Sequence, residues 1–152
     1  MIINEINIFR NEIKINKRLL GIDFGSKKIG LGLSDLGFKI ASPYKIIENR
    51  GFLYITDNLI NIIKSENIGG VVFGYPLQMN GNEGKACDNL KEFLDYFIKK
   101  FDIPIFLQDE RLSSSFVNKS LASLNFSRKK REKLDDKFSA SAILQLVLDR
   151  FN

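Results

Sequence analysis

The sequence predicts a mixed α/β fold: a five-stranded sheet, built from a three-strand antiparallel meander plus two parallel strands, flanked by helices. Two observations carry this reading. Between residues 19 and 47, three strand-like runs follow one another with turn residues between them, as in a meander. Between residues 52 and 107, helical spacing alternates with short apolar runs, as parallel crossovers require.

Each element follows from its own pattern. Residues 1–17 alternate Ile with Asn, Lys and Glu, a pattern open to an extra strand, a short helix or a loose arm. Residues 19–24 are apolar and strand-like, Gly25-Ser26-Lys27 reads as a turn, and residues 29–33 alternate bulky side chains with Gly30 and Gly32. Residues 38–47 make the third strand, where Pro43 indicates an edge or a bulge. Phe52, Ile55, Leu59, Ile62 and Ile63 then share one helical face. Residues 71–73 form a short buried strand ending at Gly74, and a loop rich in Gly, Asn and Pro covers residues 75–84. Ala86, Leu90, Phe93, Phe97 and Phe101 define a second helix, and residues 104–107 a fifth strand. A helix capped by Ser113, with Phe116, Val117 and Leu121 as its apolar positions, is expected next. After a basic stretch, the final helix is expected from about Asp136 to Arg150. This order matches the RNase H-like layout, although other mixed α/β folds share it.

A chain of 152 residues suits one core. The expected division is an N-terminal leader, residues 1–18, and a single domain over residues 19–152. The opening Met-Ile-Ile-Asn-Glu has neither a basic n-region nor a long apolar stretch, and no run is long enough to span a bilayer. A soluble cytoplasmic protein with no membrane partner is therefore expected. The chain has one cysteine, Cys87, and no histidine. That excludes an internal disulfide, a Ser-His-Asp triad, a Cys-His pair and every imidazole metal site. Cys87 itself reads as a small residue packed on a helix. Hydrolytic chemistry would fall to carboxylates, through oxygen-loving cations such as Mg²⁺ or Mn²⁺. The net charge of +5 leans towards a polyanionic partner, but most of the basic residues are Lys in a chain also rich in Ile and Asn, so coding bias shares the explanation.

Three carboxylate positions stand out. Asp23 ends the first apolar strand, where a charge is costly unless paired, ligated or facing a cleft. A turn-forming Asp before Gly is the plainer alternative. Asp109 and Glu110 follow the fifth strand, and because successive strand residues point to opposite faces, only one of them shares the side of Asp23. Glu110 is the choice and Asp109 the fallback. Asp135 and Asp136 are expected to open the last helix, one capping it while the other projects. Below them Ser139-Ala140-Ser141-Ala142 offers small residues for close approach to a sheet. Carboxylates from these three places could converge on a pair of divalent ions about 3.5–4 Å apart, the arrangement that clamps both oxygens of a phosphodiester displacement.

Four motifs then resemble one family. The stretch Leu20-Gly21-Ile22-Asp23-Phe24-Gly25-Ser26-Lys27-Lys28-Ile29-Gly30 resembles the opening motif of YqgF/RuvX proteins. The stretch Gly74-Tyr75-Pro76-Leu77-Gln78-Met79-Asn80-Gly81 is similar to their Gly-x-Pro-Leu-x-Met-x-Gly loop, and Asp109-Glu110-Arg111-Leu112-Ser113 to their Asp-Glu-Arg-Leu-Ser/Thr block. The last helix, from Asp136 through Ala140 to Gln145, resembles their closing Asp-x-x-Ala-Ala-x-x-Ile-Leu-Gln. The four occur in order over about residues 19–148.

The resemblance implies an RNase H-like fold related to Holliday junction resolvases, and a nuclease that matures the 5′ end of pre-16S rRNA. It implies Asp23, Glu110 and Asp136 as the catalytic and metal-holding set, with Mg²⁺ or Mn²⁺. Where the superfamily often has an acid at the end of the fourth strand, this chain has Phe73-Gly74-Tyr75-Pro76, so the set borrows from the fifth strand. Lys27, Lys28 and Arg111 lie beside the acids as phosphate contacts. Arg128 and Lys129, in the run ending at Arg131, are candidates for the nucleic-acid backbone or an ordinary solvated loop. Phe126 reads as core rather than a stacking platform. Pre-rRNA is the favoured partner, branched DNA the alternative and ribosomal particles a further partner, with a monomer or weak dimer expected. Two rivals remain: an RNA-binding module without turnover, and an ATP-binding enzyme, which would need a second domain.

Overall fold

The computed structural model describes residues 1–111 and 128–151, with the side chains of residues 128–137 outside the description. The elements, in chain order, are β1 (Ile2–Ile3), α1 (Ile6–Glu12), β2 (Arg18–Phe24), β3 (Lys28–Ser34) and β4 (Ala41–Glu48). They continue with α2 (Phe52–Ser65), β5 (Ile68–Tyr75), α3 (Lys85–Lys100), β6 (Ile105–Asp109) and α4 (Arg128–Phe151). The expected helix after Ser113 lies outside the described residues, as does Phe126.

The strands form one sheet in the order β1-β6-β5-β2-β3-β4. The meander β2-β3-β4 is antiparallel, while β2, β5 and β6 are parallel neighbours. The mixed α/β class holds, but among the described residues the sheet has six strands and not five. The extra one is β1, which pairs parallel to β6 with Ile2 opposite Ile105. Residues 1–17 are therefore both a strand and a helix, and two residues of pairing leave too short a sequence signal to read. Pro43 sits where a missing N–H is tolerated: β4 is the sheet edge, and its register with β3 slips between Leu31 and Gly32, with Tyr44 as the extra residue. The third strand begins at Ala41 and not at residue 38, because Asp35 Oδ1 accepts the N–H groups of Lys39 and Ile40 (2.8 and 3.1 Å) and closes a turn there.

Each sheet face is covered. On one side, α2 and α3 bury Ile55, Leu59, Leu90, Phe93 and Phe97 against Leu20, Ile22, Val71 and Phe73. On the other, α4 buries Ile143, Leu144, Val147 and Leu148 against Leu19, Val72 and Phe106, and α1 adds Phe9. Each such side chain contributes roughly 1.5–3 kcal/mol by leaving water. Cys87 is a buried residue of α3, as expected. No helix among the described residues is long and apolar enough to cross a membrane.

Two expectations about α4 are corrected. The helix starts at Arg128, so Asp135 and Asp136 lie two turns inside it and do not open it. The basic run from Arg128 to Arg131 is its first turn, not a preceding loop. The reason is local. Residues 128–134 are Arg, Lys, Glu and Leu, all strong helix formers, and nothing stops the helix from extending.

Close contact between α4 and the sheet depends on missing side chains. A Cβ at Gly21 would stand 2.8 Å from the Ala140 carbonyl oxygen, and one at Gly32 would stand 2.9 Å from the Ser141 nitrogen. Both obstacles are backbone and cannot rotate away. Gly32→Ala should therefore destabilise the fold by about 1–3 kcal/mol through overpacking, measured as a lower urea midpoint with an unchanged m-value.

Candidate active site

Strand alternation sorts the polar residues at one end of the sheet. Along β2, Leu19 packs under α4, so Gly21 and Asp23 share that face, while Leu20, Ile22 and Phe24 face α2 and α3. Along β5, Val72 and Gly74 take the α4 side. Along β6, Phe106 and then Gln108 do the same, which carries the alternation on to Glu110. Because β2, β5 and β6 are parallel, their C-terminal ends meet at one edge. Ile22 pairs with Phe73, so Asp23 and Gly74 come side by side, with the end of β6 next to them. This edge, where the chain leaves β2 for one side of the sheet and β5 for the other, is where open α/β sheets bind ligands.

Gly74 makes the meeting possible. A Cβ there would overlap Glu110 Oε2 and stand 2.6 Å from Ile143 Cδ1. The Glu110 carboxyl thus lies over the end of β5, supplied by β6, in a place where any larger residue would displace it. The backbone fixes the approach, since Glu110 N–H donates to the Tyr75 carbonyl at 3.3 Å.

The two neighbouring acids have opposite electrostatics. Asp109 accepts from Arg111 Nε and Nη2 (2.9 and 2.6 Å at Oδ2) and from the Arg111 backbone N–H (3.0 Å at Oδ1). That guanidinium holds the Asp109 carboxyl below its ordinary value. Glu110 is pushed up to about 7, first by burial and then by the negative charges of Asp23 and Asp109. Asp23 is partly buried beside it. Two mutually repelling carboxylates in a partly dry site form a donor set that fits a divalent cation, which would favour the ionised form of both. Among the described residues there is no group of three or more such donors.

Asp136 is brought towards this edge by its helix. Ala140 lies over Gly21, and α4 runs on to Gln145, whose Oε1 accepts from Ala41 N–H (2.8 Å) at the opposite end of the sheet. Asp136 is one turn before Ala140, roughly 6 Å nearer the carboxylate edge along the axis. Its side chain, like those of Arg128 and Lys129, lies outside the described residues.

Lys27 and Lys28 are exposed at the β2–β3 turn next to Asp23. Arg111 is engaged by Asp109, and its Nη1 lies 3.5 Å from where a Gly81 Cβ would be, under the loop after β5. Sequence reasoning missed Asn49, which ties this turn down: its Nδ2 donates to the Gly25 carbonyl (3.0 Å) and its backbone N–H to that of Lys27 (2.9 Å). It missed Gly74 too. Continuing the alternation of β5 beyond Val72 would have put that glycine under the acid.

Residues 17–150 match the family described as RuvX, Holliday junction resolvase. The chain belongs to the RuvX family. A Rickettsia typhi relative named "Putative pre-16S rRNA nuclease" is 39% identical over 155 residues, covering 100% of this chain and 99% of that protein. An Anaplasma marginale relative of the same name is 38% identical, covering 98% and 95%. Among solved structures, Thermus thermophilus RuvC in complex with a Holliday junction substrate aligns with a TM-score of 0.57 at 12% identity, covering 89% of this chain and 96% of RuvC. The fowlpox virus Holliday junction resolvase aligns at 0.51 with 11% identity, covering 88% and 99%. These two likenesses are of fold, and they agree with the RNase H-like architecture expected from the sequence.

The Glu110 carboxyl makes the stability of this RuvX chain pH-dependent. Its folded value of about 7 exceeds the 4.5 of an ordinary glutamate, so between those values the folded state holds the extra proton. Stability should fall as the pH rises through that window and level off above it. In cation-free urea denaturation the wild type should lose about 2 kcal/mol relative to Glu110→Gln across the window, a figure reduced from the full shift for partial exposure.

Proposed function

We propose that this chain hydrolyses phosphodiester bonds in nucleic acid with a divalent cation, Mg²⁺ or Mn²⁺, and that its substrate is the 5′ end of pre-16S rRNA. The observation that carries the proposal is the meeting of Asp23 and Glu110 over Gly74 at the C-terminal edge of the sheet. A fold gains no stability from burying the Glu110 carboxyl beside the charge of Asp23, whereas a cation site requires such a pair. The relatives named for pre-16S rRNA support the choice of substrate.

In this reading Asp23 and Glu110 hold the cation, and Asp136 completes the set from α4. Bound there, a divalent cation supplies Lewis acidity at the phosphodiester and favours ionised water near neutral pH, alone or as one of a pair. The chain's own residues do the rest. Gly74 gives the Glu110 carboxylate its place, and Arg111 neutralises Asp109 so that it does not compete for the cation. Lys27 and Lys28 present positive charge to the backbone of the substrate. Because Glu110 must lose its proton to bind, cation affinity rises with pH through about 7. Residues 19–152 act as one catalytic unit with residues 1–18 braced against it, and the role implies a cytoplasmic protein.

A second reading, cleavage of four-way DNA junctions, is favoured by the description of the matching family. One experiment separates the two: purified protein with Mn²⁺ or Mg²⁺ on a 16S precursor fragment and on a synthetic junction, beside EDTA. Cation-dependent cutting of the RNA is expected, with Asp23→Asn at least about a hundredfold slower. Paired symmetric nicks in the junction with the RNA intact would favour the resolvase. RNA binding without cutting by either protein would leave a binding module.

A further inference from the structure

Across the sheet edge from the carboxylates lies a cleft of about 530 Å³, well within the size range of small-ligand sites. Its floor is aromatic. Phe24 and Phe52 are both partly exposed there and both rest on the buried Phe93, with ring centroids 4.8 and 5.4 Å away. Its walls are polar: Ser26 from the β2–β3 turn, and Lys85, Asn89 and Glu92, which recur on one face of α3. Among the described residues, none of these four side chains has a hydrogen-bond or ion-pair partner.

That combination selects an occupant. Flat apolar surface below, donors and acceptors at the rim and a cation at one end match a flat ring with polar edges carrying a phosphate. An aliphatic ligand would desolvate the rim without partners, and a bare sugar phosphate would leave the phenyl floor uncovered. The position is equally specific, because Phe24 follows Asp23 in β2. One strand therefore turns its carboxylate to one side of the edge and its ring to the other.

We propose that this cleft is a nucleotide subsite, seating the base and sugar of a residue that flanks the phosphodiester brought to Asp23 and Glu110. The flanking relation rests on the hydrolase reading; the binding of a nucleotide in the cleft does not. Lys85 takes the phosphate, and Ser26 and Asn89 reach the polar edges of the nucleoside. Glu92 accepts from amino groups of the base.

The test is a titration of nitrogen-15-labelled protein in EDTA with each ribonucleoside 5′-monophosphate, and with ribose 5-phosphate as the base-free probe. Saturable shifts of the Gly25 and Ser26 backbone amides and of the Asn89 side-chain amide are expected, with ribose 5-phosphate at least about tenfold weaker because it lacks the stacking ring. Ala86→Phe, at an exposed position on the cleft wall, fills the space and should weaken nucleotide binding at least about tenfold. Asn89→Ala adds no bulk and should weaken it about three- to tenfold through a lost hydrogen bond. In RNA cleavage, the Ala86→Phe loss should appear in KM. Absent shifts, equal response to ribose 5-phosphate, or binding indifferent to both substitutions would overturn the subsite. Shifts without any RNA cleavage would sink the hydrolase reading alone, and cleavage without shifts would sink the subsite alone.

Discussion

Parallel alignment of β2, β5 and β6 is the constraint on which the site depends, because three strands running the same way must end at the same edge. Asp23, Gly74 and Glu110 are far apart in sequence, yet alignment and alternation put them on one face at one end. The helices on both faces make this geometry stiff. α4 is held at backbone distance from Gly21, two residues before Asp23 on the same face of β2, and from Gly32 on β3. Carboxylates contributed by separate elements keep their spacing only where those elements are firmly packed.

The edge also separates charges by role. Asp109 and Glu110 are adjacent and opposite in behaviour, because alternation turns them to different faces. Asp109 finds Arg111, and the pair is close to neutral. Glu110 is turned into a drier place against another carboxylate, so its proton is held more tightly. The fold thus carries a local destabilisation that a cation would relieve.

Much of this was legible in the sequence, for physical reasons that differ by residue. Asp23 was visible because a charge closing an apolar strand has few inexpensive explanations. Alternation said only that one of Asp109 and Glu110 shares the side of Asp23, and which one depends on the register of β6, which carries Glu110 to that face. The N-terminal strand was one of three readings left open for residues 1–17, because two residues of pairing have no periodicity and depend on β6 being available at the sheet edge. The start of α4 was misread because Asp135-Asp136 imitates a cap, whereas the residues before it simply continue the helix. Gly74 was seen only as the absence of an expected acid. What a missing side chain makes room for becomes apparent only when the neighbouring strand is in place.

The aromatic cleft was invisible for a further reason: its parts come from the β2–β3 turn and from the starts of α2 and α3, which no local pattern connects. In the sequence, Phe24 and Phe52 looked like ordinary core residues, and both do pack on Phe93. Core packing and ligand contact are compatible when a ring has one face inside and an edge in the open. The strand explains why the cleft and the carboxylates belong together. A pleated strand that ends in Asp-Phe must send an acid to one side and a ring to the other. A nucleic-acid strand crossing the sheet edge at β2 would therefore meet charge chemistry for its backbone and a stacking surface for its base within one residue of protein.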